Sequence, residues 1–426
     1  MEKRELMIPM RDGVKLYTEI YLPDGTGPWP VLLVRTIYSI QIANQMFHYN
    51  KVTENGYIII VQNGRGFFCS EGEFNDPTCE AEDGYDTLDW ISKQEWCDGN
   101  IAMEGSSYNG YAAFAAASLR HPNLKTLIGD YVATVFSGLG FYDKGISALS
   151  HFSWGASQTQ KEIVLDGNST EIKKYILVDR DMRKCMMKTI APNFDSKSDE
   201  GKKILCEYKE LSLKAVNSLK DVYDIGLYQA VKQMKDVSPW TEPWFVEIDN
   251  PDYFKSCDFT VAENTPNIPT IQVTGWYDHF VKNAFKLFNA NKENGVYHRI
   301  VVTPNDHTSM VGHSLLPIGE QFIPNEFTND SVFSVRIPKS EGQDRTLNWL
   351  DYWLKDIPSD IENRAPITLF VQGENKYRDE FEWPLARTVW TPYYINSSGD
   401  AGKLLNDGKL TLEKNYKESA DTDKYT

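Results

Sequence analysis

The sequence predicts an α/β fold with a helical insertion. Three observations carry the prediction. Short, nearly continuous apolar runs alternate with helical periodicity over the first 130 residues, that rhythm lapses from about 135 to 266, and it resumes at Thr270. Strands buried on both faces of a parallel sheet read as unbroken apolar runs, and the helices between them supply the cover.

Taken in order, the runs at 31–34 (VLLV), 57–61 (YIIIV), 101–103 (IAM) and 124–128 (LKTLI) read as buried strands. Between the second and third, Ala81, Tyr85, Leu88 and Ile91 recur at helical spacing, and the alanine-rich stretch 111–119 follows the third as a helix. Residues 1–134 are therefore expected to be the first half of the core. Residues 135–266 show helical periodicity, many lysines and few β-branched runs, which predicts a cap over the carboxyl edge of the sheet, where α/β folds bind ligands. The strand rhythm returns at 270–274 (TIQVT) and 299–303 (RIVVT), with a helix over 347–354, so 267–357 is the second half. The runs 367–371 and 389–395 open a β-rich segment, 358–426.

Composition narrows the function. Of 426 residues, 44 are Lys or Arg and 60 are Asp or Glu, a net charge of −16 with a pI near 5.0. Such a chain has no general attraction for phosphate backbones or anionic bilayers, so neither nucleic acid nor membrane is an expected partner. No window approaches 18 consecutive apolar residues. The amino terminus lacks the apolar run of a secretory signal, and the six cysteines are scattered with no C-x-x-C pair. Both features fit a cytoplasmic protein in a reducing compartment.

The chemistry sits at strand ends. Gly105-Ser106-Ser107-Tyr108-Asn109-Gly110 follows one strand and opens a helix. A sharp strand–turn–helix exposes the Ser107 hydroxyl above the sheet and sets the Tyr108 N–H at a helix start, ready for an oxyanion. The G-x-S-x-x-G spacing departs by one residue from the usual G-x-S-x-G, and a turn that merely caps a helix is the alternative. A serine nucleophile needs a base and an orienting carboxylate, which in sheet-based hydrolases follow in the order Ser, Asp, His. Asp278 follows the strand at 270–274 and His307 the strand at 299–303, which makes Ser107, Asp278 and His307 the candidate triad. Asp306, His279 and His313 are the rivals. A metal held by Asp278, His279, His307 and His313 has no recognisable ligand spacing, so no metal and no cofactor are expected.

These residues lie within a wider resemblance. Pro9-Met10-Arg11-Asp12-Gly13-Val14-Lys15-Leu16, the stretch 30–38, Arg65-Gly66, Ser70-Glu71-Gly72-Glu73-Phe74, Asp83-Gly84-Tyr85-Asp86, Trp96-Cys97-Asp98-Gly99, Gly275-Trp276-Tyr277-Asp278 and 349–355 match one family. The chain resembles the cocaine esterase / X-Pro dipeptidyl-peptidase family of α/β-hydrolases, which also holds α-amino-acid ester hydrolases and glutaryl-cephalosporin acylases. Gly-x-Ser-Tyr-x-Gly is that family's form of the turn. The resemblance implies an α/β-hydrolase core with an inserted helical cap and a carboxyl-terminal jelly-roll-like domain, of which 358–426 is an incomplete beginning. It further implies Ser107 as nucleophile, His307 as base, Asp278 as orienting acid, and an oxyanion hole formed by the Tyr38 phenol and the Tyr108 N–H. Three departures stand out: Ile37 where the family has proline, Asn63-Gly64-Arg65-Gly66-Phe67 for an Asp-x-Arg-Gly-Arg pattern, and Thr303-Pro304-Asn305-Asp306-His307 for Gly-Pro-Trp-x-His. A truncated chain, a second polypeptide or a homo-oligomer would account for the short jelly roll.

The cap aromatics Phe136, Phe141, Tyr142, Trp154, Trp240 and Trp244 are candidates to line the acyl or leaving-group site. Asp143, Glu242 and Glu247 are candidates to hold a substrate ammonium. The expected function is a serine hydrolase cleaving a small ester, amide or short peptide through an acyl-enzyme. An X-Pro dipeptidyl-peptidase, an α-amino-acid ester hydrolase and an inactive binding protein are the alternatives.

Overall fold

A computed structural model describes residues 1–38, 40, 49–74, 79–134, 263–307, 345–397 and 408–414, short stretches between 142 and 261, and the strands at 327–329 and 336–338. The strands are β1 (Glu2–Pro9), β2 (Lys15–Leu22), β3 (Trp29–Thr36), β4 (Ile58–Asn63), β5 (Cys97–Ser106), β6 (Leu124–Asp130), β7 (Tyr142–Asp143), β8 (Ile146–Ser147), β9 (Thr270–Tyr277), β10 (His298–Asp306), β11 (Phe327–Asn329), β12 (Arg336–Pro338), β13 (Ile367–Val371), β14 (Lys376–Glu380), β15 (Tyr394–Asn396) and β16 (Lys409–Thr411). The helices are α1 (Tyr49–Glu54), α2 (Cys79–Ser92), α3 (Tyr108–Ser118), α4 (Leu227–Gln233), α5 (Val281–Glu293) and α6 (Arg345–Lys355).

Ten strands form one sheet in the order β1-β2-β4-β3-β5-β6-β9-β10-β13-β14. From β4 to β13 every pairing is parallel, while the β1–β2, β2–β4 and β13–β14 pairings are antiparallel. Alternation of side chains sends neighbours in one strand to opposite faces. Val31 and Leu33 of β3 join the core beneath α2 and α3 with Leu88, Ile91 and Phe114. Leu32 and Val34 join the opposite core with Trp349, Leu350 and Leu354 of α6. This two-sided burial is why the strands are legible as continuous apolar runs.

The two halves of the sequence meet at β6 and β9, where Leu127 pairs with Thr270 and Asp130 with Val273. The chain therefore leaves the sheet at one strand and returns beside it. The expected cap, 135–266, lies largely outside the described residues; α4 is its one helix longer than a single turn among them.

Several of the family-matching segments act as ties between elements. The Arg65 guanidinium holds Asp83 of α2 at 2.6 and 3.0 Å and Asp12 of the β1–β2 turn at 2.6 Å, and Arg11 holds Asp86 at 2.8 Å. At the other end, β13 and β14 extend the central sheet although the sequence grouped 367–371 with the β-rich segment. The compact units run 1–381 and 382–426, and the second contains the antiparallel pair β15–β16. Within the run 389–395, strand begins only at Tyr394, because Pro392 has no N–H to give a ladder.

Candidate active site

Ser107 lies between the last residue of β5 and the first of α3, at φ 56° and ψ −124°. A left-handed φ on a non-glycine residue costs about 1–3 kcal/mol and persists only where its surroundings enforce it. Here the Ser107 N–H donates to the Asp130 carbonyl at 3.0 Å, and the Ser107 carbonyl accepts from the Tyr111 N–H at 3.0 Å. A Cβ on Gly105 would lie 2.2 Å from the Asn109 carbonyl carbon, so the strand can approach the helix this closely only through glycine. One residue on, a Cβ on Gly110 would lie 2.4 Å from Val132 Cγ2. The second small residue is thus needed where α3 meets the segment after β6, which accounts for the shifted spacing.

The candidate acid and base come from adjacent strand ends. Asp278 follows β9 and is fully buried, and His307 follows β10. A Cβ on Gly275 would lie 2.0 Å from the Asn305 carbonyl oxygen, so the two strand ends touch backbone to backbone. His307 Nε2 stands 2.9 Å from Ser107 Oγ, and His307 Nδ1 stands 3.0 Å from Asp278 Oδ1. With its proton on Nδ1 the ring donates to Asp278 and accepts the Ser107 hydroxyl at Nε2. Asp278 is fixed in turn: its Oδ1 accepts the Phe280 N–H at 3.2 Å and its Oδ2 accepts the Thr274 hydroxyl at 3.2 Å.

Aromatic rings frame the imidazole. Phe280 meets it edge-on with centroids 5.2 Å apart, and Tyr131 does so at 6.2 Å. Tyr131 also has a left-handed φ, 54°, and its hydroxyl pairs with the Thr303 hydroxyl at 3.1 Å. His279 stacks obliquely at 4.7 Å, its Nδ1 3.6 Å from Asp278 Oδ1. Burial, and next the neighbouring His307, push the His279 pKa down to about 4, so at neutral pH it brings no positive charge to Asp278.

A model of the X-Pro dipeptidyl-peptidase (S15) family matches residues 12–309. The chain belongs to that family. Among curated relatives, cocaine esterase of Rhodococcus sp. (strain MB1 Bresler) is 28% identical over 438 residues, covering 98% of this chain and 66% of that protein. Among solved structures, an aminopeptidase from a Thaumarchaeota archaeon of marine sediment superposes with a TM-score of 0.62 at 21% identity, covering 97% of this chain and 62% of that one. An α-amino acid ester hydrolase superposes with a TM-score of 0.61 at 20% identity, covering 98% and 64%. At these identities the two structures show a shared fold. The chain spans somewhat less than two thirds of the length of each of these relatives.

Tyr38 lies two residues beyond β3, partly buried; its N–H donates to the Thr36 hydroxyl at 2.9 Å, and its carbonyl accepts from the Asn63 amide at 3.1 Å. Tyr108 begins α3, buried, with its N–H at the helix start beside Ser107. Phe136, Phe141, Trp154, Trp240, Trp244 and His313 lie outside the described residues, and of Tyr142 and Asp143 only the backbone, in β7, is described. Glu242 and Glu247 are half-buried, and Glu247 accepts the Asn250 amide at 2.9 Å. Asp306, the last residue of β10, neighbours His307 in sequence, but the ring hydrogen bond goes to Asp278.

Asp278, His279 and His307 place three ligand atoms within 4.8 Å of one another. Within this group Asp278 Oδ1 and His307 Nδ1 are hydrogen-bonded to each other, an arrangement suited to orienting an imidazole rather than to an open metal site. Sequence reasoning missed Thr274, Phe280 and Tyr131, whose apolar or hydroxyl side chains carry no motif. It also missed that Asp130, at the end of β6, is taken up by the Arg345 guanidinium at 3.0 and 3.1 Å, which removes it as an alternative acid.

Proposed function

We propose that the chain is a serine hydrolase that cleaves small carboxylic esters or amides through an acyl-enzyme. The supporting observation is the unbroken relay from Ser107 Oγ through His307 to buried Asp278, at 2.9 and 3.0 Å. Ser107 Oγ attacks the carbonyl carbon as its proton passes to His307 Nε2, and Asp278 steadies the imidazolium that forms. The Tyr38 phenol and the Tyr108 N–H hold the oxyanion. Each such donor contributes typically about 10²–10³ in rate. Collapse expels the alcohol or amine, which takes the proton from His307. Water, deprotonated by the same ring, then attacks the acyl-serine and releases the acid.

Similarity to cocaine esterase over nearly the whole chain favours an ester as substrate. Six scattered cysteines with no C-x-x-C pair favour a reducing, cytoplasmic setting. No helix among the described residues is long and apolar enough to cross a membrane.

The test is fluorophosphonate labelling of wild type and Ser107→Ala, with p-nitrophenyl acetate and Ala-Pro-p-nitroanilide as substrates. Ser107→Ala should lose the label and at least about 10⁴-fold in kcat. Turnover of the acetate alone supports the esterase, release of the dipeptide moves the assignment to the peptidase branch, and absent labelling of wild type overturns the catalytic reading.

A further inference from the structure

Behind the Ser107 turn lies a buried ionic pair that the proposed chemistry does not use. Glu80, in the first turn of α2, is 1% exposed, and Arg35, near the end of β3, is fully buried. Glu80 Oε2 accepts from Arg35 Nη2 at 2.8 Å and from Nε at 3.2 Å. Its other oxygen, Oε1, accepts the Tyr108 hydroxyl at 3.1 Å. Arg35 is further held by Gln62 of β4, whose Oε1 accepts from Nη1 at 2.9 Å.

Charge compensation explains the Arg35–Glu80 pair, since a buried guanidinium without a carboxylate is costly. It does not explain why the second carboxylate oxygen reaches a residue of a different helix. That residue is Tyr108, which follows Ser107 and whose backbone N–H is one proposed oxyanion donor. Three residues beyond Arg35, past the end of the same strand, stands Tyr38, the other proposed donor. One buried carboxylate therefore links the backbone segments that carry both donors, through three hydrogen bonds strengthened by its charge.

We propose that Glu80 is a positioning residue of the acyl-transfer site, holding Tyr108 to Arg35 so that the two oxyanion donors keep a fixed separation. The inference rests on the serine-hydrolase reading above. Oxyanion donors act only when aimed at the place where charge develops, and a displacement of about 1 Å can cost about 10²-fold in rate. Substrate binding in the ground state makes much less use of that geometry, so loss of the link should fall on kcat and spare KM.

Tyr108→Phe is the decisive variant, because it deletes one hydroxyl and leaves the Arg35–Glu80 pair and the Tyr108 backbone in place. Its kcat for p-nitrophenyl acetate should fall about 10- to 100-fold, with KM changed less than about twofold. Affinity for a trifluoromethyl ketone, which forms a tetrahedral adduct on serine, should weaken by the same factor as kcat. Glu80→Gln should show the same kcat-selective loss, and its folding is followed by thermal melting alongside. Unchanged kcat and ketone affinity in Tyr108→Phe, with Ser107→Ala inactive, overturns the positioning role alone. Full activity of Ser107→Ala would overturn the serine-hydrolase reading instead.

Discussion

Ser107 shows how a motif can be read through its sterics. Its φ of 56° is tolerable because Gly105 lets the helix press against the strand, and a Gly-x-Ser turn between an apolar run and an alanine-rich helix is therefore visible in the sequence. Thr274 and Tyr131 were not visible, since a hydroxyl or a ring that serves the site by contact resembles any core residue. His298 was likewise unmarked, yet it carries a consequence for acid stability. Fully buried, with the Asn291 amide 2.9 Å from its Nδ1, its ring is pushed down to a pKa of about 3 by desolvation. An unfolded imidazole titrates near about 6.5, so between that pH and about 3 the unfolded chain binds a proton that the folded chain refuses. Stability attributable to this residue is complete above about pH 6.5 and declines as pH falls, with a slope approaching about 1.4 kcal/mol per pH unit. His279 adds a decline of the same sign that ends near its pKa of about 4. Thermal melting from pH 7 down to about 3.5 should show a steeper loss for wild type than for His298→Gln. Parallel curves would place the acid sensitivity elsewhere.

At the scale of elements, the paired strand ends of β9 and β10 do the positioning. Asp278 and His307 each follow a strand, and the two strands touch at Gly275 and Asn305. A methyl group at position 275 would sit 2.0 Å from a backbone oxygen, with no flexible side chain to yield. Gly275→Ala should push the ends apart, lengthen the Asp278–His307 contact and lower kcat at least about 10²-fold, with a melting point several degrees lower. Wild-type kcat in that variant would mean that the close approach is incidental. The strands themselves were legible because both faces of the sheet are covered. Their grouping was harder: the pattern of 367–371 is that of any buried strand, and only its register beside β10, Ile300 against Ile367, assigns it to the central sheet. Assignment to a sheet is a tertiary fact that periodicity does not encode.

For the whole molecule, the relevant join is the ladder between β6 and β9, since Asp130 and Val273 are far apart in sequence and paired in the sheet. Their halves share a core as well, in which Ile128 packs with Ile271, Val273 and Trp349. A single proteolytic cut between 134 and 263 should therefore leave one species on size exclusion, two bands on a denaturing gel, and the fluorophosphonate still on the amino-terminal fragment. Dissociation of the fragments would show that the covalent link is required. The family was readable from short motifs, and the candidate order Ser107, Asp278, His307 from the places of these residues just past β5, β9 and β10. The acyl pocket was not, since aromatic residues fill cores and line sites alike. Finally, the spacings within the relay differ widely: His307 lies 29 residues from Asp278 but 200 from Ser107. At about 5–20 residues per second, a ribosome that has made the serine needs about 10–40 s more to reach its base. During that interval the nascent chain holds Ser107 without the His307 imidazole, and the relay can close only when the second half of the sheet is released to fold.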